Sequence, residues 1–115
     1  MKGYRDVPYL LPVFVSGLDD DPGKLVQAGE CNLWGWQAMN DVAAVTYIQL
    51  FNAAALVDVT LGTTTPDAWF ALITSKPGRV ILQRPINFPL GLCAFSTTAP
   101  TGLTGAASTI TFFIG

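Results

Sequence analysis

Histidine is absent from this 115-residue chain, and with it the commonest general base and metal ligand. Ser-His-Asp and Cys-His nucleophile arrangements are excluded for the same reason. Charge is scarce as well. Six Lys/Arg and eight Asp/Glu leave a net charge of −2, and charged residues make up only 12% of the chain. That is about half the share in an ordinary soluble domain. The few cations form no stripe, so a nucleic-acid partner lacks its electrostatic footprint, and so does an anionic membrane surface.

Cysteine is limited to Cys31 and Cys93. Neither sits in a C-x-x-C pair, and without histidine no zinc site can be completed. The sequence leaves their pairing open. Two buried free thiols is the favoured reading, because free cysteine is among the most buried residue types. Neither a Gly-x-Gly-x-x-Gly nor a Walker A run is present, so no nucleotide cradle and no cofactor are expected. Long hydrophobic runs are missing too. The most apolar window, residues 42–57, is bounded by Asp41 and Asp58 and interrupted by Gln49 and Asn52. It falls short of the roughly 20 residues of a bilayer span and reads as core. Pro8, Pro12 and Gly17 break the apolar stretch after Met1-Lys2-Gly3-Tyr4-Arg5, so the N-terminal segment does not read as a secretory signal.

Half the residues are hydrophobic. One domain of this size removes roughly two-thirds of its unfolded surface from water, enough for one core. So many apolar residues with so few charges imply apolar surface beyond that core, hence an oligomer or a larger assembly. A neutral, threonine-rich surface is the alternative.

The pattern along the chain is that of strands and turns. Val57-Asp58-Val59-Thr60-Leu61 alternates at period two, Gly62-Thr63-Thr64-Thr65-Pro66-Asp67 breaks it, and Ala68-Trp69-Phe70-Ala71-Leu72-Ile73 resumes it. Further strands are expected at residues 13–15, 31–39, 45–51, 79–83, 90–96 and 108–114. Residues 16–29 read as a polar segment with an Asp-Pro-Gly turn. Residues 86–88, bracketed by Pro85 and Pro89, read as edge or extended loop. A helix over residues 41–56 competes for the third of these strands. Its alanines favour helix, and Val42, Val45, Thr46, Tyr47 and Ile48 oppose it. About seven or eight strands suit an all-β antiparallel sandwich, jelly-roll-like. The expected division is an extended N-terminal arm over residues 1–15 and a single sandwich over 16–115. The core is expected to include Val45, Ile48, Leu50, Val57, Val59, Leu61, Leu72, Ile110 and Phe112.

Trp34 and Trp36, at spacing two, are expected on one face, with Gly35 marking a bulge or a close approach. They are a possible ligand platform. Residues 45–51 carry large side chains on both faces, so one face builds the core and the other meets a neighbour or lies under a loop. Expected interface residues are Tyr4, Tyr9, Phe14, Tyr47, Phe51, Trp69 and Arg84. Aromatic side chains and arginine are enriched at such surfaces. Asp58 and Asp67 read as an outward strand residue and a turn residue rather than a catalytic pair. Asp19-Asp20-Asp21-Pro22-Gly23 reads as a solvated acidic turn, since the EF-hand spacing and its terminal Glu are missing. No catalytic or metal-binding residue is assigned.

Several segments resemble a family of small structural proteins of tailed bacteriophages. They are Asn32-Leu33-Trp34-Gly35-Trp36, then the run from Val45 to Ala54, then Val59-Thr60-Leu61-Gly62-Thr63-Thr64-Thr65-Pro66. Pro77-Gly78 and the run from Phe88 to Thr98 complete the set. The family pattern reads roughly as a "YGW" strand, a "K-L-Y-N" strand, "V-G-T-T-x-P" and "G-I-x-F-S-T-G". Where that pattern has a glycine after Ser-Thr, this chain has Thr98-Ala99-Pro100. The resemblance implies a non-catalytic β-sandwich on the virion, a decoration or cement protein that bridges subunits of the major capsid protein. It implies an oligomer, here expected as a homotrimer, on the capsid surface of particles assembled in the host cytoplasm. A tail, collar or head-fibre component and a carbohydrate-binding adhesion module are the alternatives.

Overall fold

The computed structural model describes residues 10–21, 23–42, 44–73 and 77–115. Among the described residues eight strands follow one another: β1 (Leu11–Leu18), β2 (Lys24–Ala28), β3 (Cys31–Asn40), β4 (Thr46–Asn52), β5 (Ala68–Leu72), β6 (Pro77–Phe88), β7 (Gly91–Thr97) and β8 (Ser108–Ile114). They form two four-stranded antiparallel sheets, ordered β1-β8-β3-β6 and β2-β7-β4-β5. The protein is an all-β antiparallel sandwich, as its turn-punctuated sequence predicts.

Strand β8 shows how directly pattern becomes structure. Ser108, Ile110, Phe112 and Ile114 are buried, and the residues between them are half-buried. Strand β4 resolves the helix–strand competition. Its β-branched and aromatic residues take the extended form, and Ile48 and Leu50 enter the core at no more than 1% exposure. The core between the sheets gathers Val15, Leu18, Leu33, Trp36, Ile48, Leu50, Leu72, Phe88, Leu92, Ile110, Phe112 and Ile114 among others.

Strands β3 and β8 show why tryptophan spacing misleads. Leu33 pairs with Ile114 and Gly35 with Phe113, so Trp34 is an extra residue in β3. After a bulge, inward and outward positions exchange. Cys31 and Leu33 face the core before it, and Trp36 and Ala38 after it. Across β6 the mismatch is larger. Leu33 pairs with Ile86 and Gly35 with Ile81, so Leu82, Gln83, Arg84 and Pro85 have only Trp34 opposite them. Gly35 is required there, because a Cβ would run into the Val80 carbonyl oxygen. Both sequence readings of Gly35, bulge and close approach, hold.

Five expectations are corrected. Residues 57–61 are not a strand. Leu56–Asp58 is a single 3-10 turn, and the next segment closes on itself. The Thr63 and Thr64 amides donate to the Thr60 carbonyl, and the Thr60 amide donates to Thr64 Oγ1. Strand β4 already has β5 and β7 on its two sides, so it has no free side for this segment to pair with. Val57 is 85% exposed and Val45 42%, so neither belongs to the core, while Val59 and Leu61 pack half-buried against a smaller cluster. In the segment read as polar, residues 24–28 form β2, an edge strand on β7. Residues 79–83 and 86–88 belong to one long strand, β6. Residues 11–15 of the expected arm are already β1, paired with β8. The remainder of that arm, residues 1–9, lies outside the described residues.

Candidate interaction surfaces

The two outer faces of the sandwich have opposite fates, and this decides where a partner can touch. On the β2-β7-β4-β5 sheet, the outward residues of β4 and β7 are large, as the sequence indicates, but the chain covers them itself. Phe51, Ala53, Cys93 and Phe95 form a second buried cluster. The β4–β5 connection lies over it, contributing Leu56, Val59 and Leu61. Phe51 is only 1% exposed and meets Phe95 edge to face, with ring centroids 5.6 Å apart. Its assignment as an interface residue is therefore corrected: its alternating position is outward, and a loop occupies that side.

The adjacent polar patch is closed by the β7–β8 connection. The Gln49 amide donates to Thr97 Oγ1 at 2.9 Å, to the Gly102 carbonyl at 2.9 Å and to the Ala99 carbonyl at 3.3 Å. Thr97 Oγ1 in turn donates to the Ala99 carbonyl. These bonds tie the loop down over β4 and β7, where an unpaired carbonyl would be costly. Gln49 Oε1 is buried without a partner. Ser108 Oγ donates to Ser96 Oγ, which donates to the Ala106 carbonyl, closing the end of β8 against β7.

The outer face of the β1-β8-β3-β6 sheet has no such cover among the described residues. The register lines up three cross-strand rows on it. Pro12, Phe113, Gly35 and Ile81 make one row, and Phe14, Thr111, Gln37 and Arg79 the next. Thr109, Met39 and Pro77 make the third. Phe14 is 67% exposed, Ile81 54% and Met39 47%. Arg79 is the one charged residue in these rows, and its guanidinium lies 5.9 Å from the centre of the Phe113 ring. A shallow depression of about 290 Å³ lies between Phe14, Met39, Pro77 and Thr111.

Phe14, expected at an interface, stands exposed on this face. Sequence reasoning missed Met39, Ile81 and Phe113 as its neighbours, because only the inter-strand register brings them together. Arg84 is exposed in the irregular part of β6, and the arginine on the apolar face is Arg79. Tyr47 and Trp69 do meet, edge to face at 5.7 Å, on the outer side of β4 and β5, with Trp69 half exposed. Tyr4 and Tyr9 lie outside the described residues.

Trp34 and Trp36 do not form a platform. Trp36 is buried and stacks on Phe70 of the opposite sheet, with centroids 3.8 Å apart and planes 12° from parallel. Trp34 is half-buried and outside both apolar clusters. The two cysteines are free and buried in different clusters, Cys31 between the sheets and Cys93 beneath the β4–β5 loop. Burial pushes both thiols above their usual range, with smaller contributions from Glu30 beside Cys31 and Asp58 beside Cys93. Asp58 is exposed in the 3-10 turn, and the Asp67 carboxylate accepts the Asn52 amide, a turn-closing role. Asp19 accepts the Asp20 amide within the acidic turn. Among the described residues no group of three or more Cys, Asp or Glu side chains is placed to hold a metal. No helix there is long and apolar enough to cross a membrane.

Comparison with family models, with curated proteins and with solved structures returns no match to this chain.

Proposed function

We propose that this protein is a non-enzymatic structural component of a bacteriophage virion, a decoration or cement protein that binds the outer capsid surface and bridges subunits of the major capsid protein. The observation that carries the reading is the outer face of the β1-β8-β3-β6 sheet. Phe14, Met39, Ile81 and Phe113 stand there with a single arginine, on a domain with a separate, complete core. Contiguous apolar side chains on a soluble domain mark a surface that another protein covers. Arg79 over Phe113 is the kind of cation–aromatic anchor that interfaces concentrate.

The strand order supports the same reading. β1 pairs with β8, β2 with β7, β3 with β6 and β4 with β5, as in a long antiparallel ribbon rolled on itself. We read that pairing as jelly-roll order, an architecture found among viral capsid and lectin domains. Architecture alone assigns no activity, so the weight rests on the face. The carbohydrate-binding alternative needs two aromatic rings open to one sugar, and Trp34 and Trp36 are not so arranged.

The test is co-sedimentation of the purified chain with expanded capsids assembled from the major capsid protein of the same genome. Saturable binding that Ile81→Asp abolishes, with particle images placing the chain on the outer shell, is the expected result. No binding to capsids, or density confined to a tail or collar, would remove the decoration role.

A further inference from the structure

The edges of the two sheets are protected unequally. An open edge strand offers unpaired backbone groups to any other strand, and proteins blunt such edges with proline, charge and bulges. Three of the four edges here follow that rule. Strand β1 carries Pro12 and a register shift between Val15 and Leu18. Strand β2 carries Lys24 and a shift between Leu25 and Gln27. Strand β6 has Pro77, Arg79, Arg84 and Pro85 together with the irregularity opposite Trp34.

Strand β5 has none of these. Its residues, Ala-Trp-Phe-Ala-Leu, contain neither proline nor charge, and its ladder with β4 runs from Thr46↔Leu72 to Leu50↔Ala68 without a shift. Trp69 is 51% exposed and Ile73, just past the strand, 64%. The nearest charge, Asp67, is turned back to the Asn52 amide. Beside this edge lies an apolar groove of about 190 Å³ between Trp36, Leu72, Ile73, Pro77 and Val80.

We propose that β5 pairs antiparallel with β5 of a second copy of this chain, joining two four-stranded sheets into one of eight strands across a two-fold axis. The occupant is specified by the sequence of the strand. With the axis at Phe70, Trp69 lies opposite Ala71 of the other copy and Ala68 opposite Leu72. Trp69 and Leu72 then each face an alanine on both sides of the axis, while Phe70 meets its own copy on the axis with its ring turned onto Trp36. Strand β5 itself carries no charge, so pairing its residues with those of a second copy opposes no like charges. The same approach covers Trp69, Ile73 and the groove. This pairing closes as a dimer, in place of the trimer expected from sequence, and does not depend on the virion reading.

Light scattering on the purified chain tests it, between about 1 and about 100 μM, the range in which a modest interface populates its dimer. The expected mass is twice 12.3 kDa, falling to a single chain in Ala71→Lys and unchanged in the control Thr104→Lys. Ala71 and Thr104 are both exposed, so neither lysine enters the core. Cross-linking checks register independently of the lysine variant. Trp69→Cys chains mixed with Ala71→Cys chains should form a disulfide on mild oxidation, whereas Thr104→Cys with Ala71→Cys should not. A monomer throughout, a trimer, a dimer indifferent to Ala71→Lys, or failure of the 69–71 pair to cross-link would each overturn the proposal.

Discussion

Phe51 and Val57 exchange the roles that local pattern suggests for them, and the exchange can be measured. Phe51 is 1% exposed beneath the β4–β5 loop, edge to face with Phe95, while Val57 on that loop is 85% exposed. Phe51→Ala removes a ring from a packed site, which costs about 3–5 kcal/mol in protein cores. Against a total stability of about 5–15 kcal/mol, that is a large fraction. With a urea dependence of about 2 kcal/mol per molar, the unfolding midpoint should drop by about 2 M. Phe51→Leu, which keeps most of the volume, should cost about 1–2 kcal/mol and guards against a variant that does not fold. Val57→Ala should stay within about 0.5 kcal/mol of the parent, as exposed positions do. Urea denaturation followed by tryptophan fluorescence reads all three, and light scattering should show the same mass for each variant as for the parent. If Phe51→Ala were nearly neutral for unfolding yet changed the mass, Phe51 would be an interface residue and the loop would not be its cover.

Gln49→Leu leaves the Gly102 and Ala99 carbonyls without their donor and should cost about 2–3 kcal/mol, with faster amide exchange confined first to residues 98–105. Trp36→Ala removes the inter-sheet stack on Phe70 and should cost about 3–5 kcal/mol, and Trp34→Ala, outside the core, should cost less. Equal costs in thermal melts would refute the bulge assignment. The raised thiols of Cys31 and Cys93 hold their protons more tightly in the folded chain than in the unfolded one. Stability from this source is therefore complete below about pH 8.5, the ordinary thiol range, and is lost as the pH rises through the higher folded values. Cys31→Ala/Cys93→Ala should flatten the alkaline part of a stability–pH profile, and a thiol reagent should label the parent only as fast as it opens. Rapid labelling of both thiols in the native state would contradict their burial.

Much of the sandwich was legible because strand pattern is local. Ser108–Ile114 alternates at period two, and its burial alternates with it, since successive side chains of a strand point to opposite faces. Turn residues marked most strand ends, and two-faced β4 announced that something must cover its outer side. Sequence alone left two candidates, a neighbour and a loop, and the tertiary structure chose the loop because the β4–β5 connection folds back over Phe51 and Phe95. The alternation at residues 57–61 misled for the same non-local reason: a strand exists only where a neighbour has free backbone groups, and β4 had none to offer.

The surfaces depended still more on register. Trp34 and Trp36 share a face only if β3 is regular, and the extra residue against β8 exists in the pairing rather than in either strand. Phe14, Met39, Ile81 and Phe113 come from four strands, and nothing in their spacing along the chain joins them. Composition determined that this chain would be a small domain with more apolar residues than one core can hide, because those properties sum over residues whatever their order in space. Which apolar residues the fold hides and which it leaves on the β1-β8-β3-β6 face and the β5 edge was decided only by strand pairing, because exposure belongs to neighbours and not to residues.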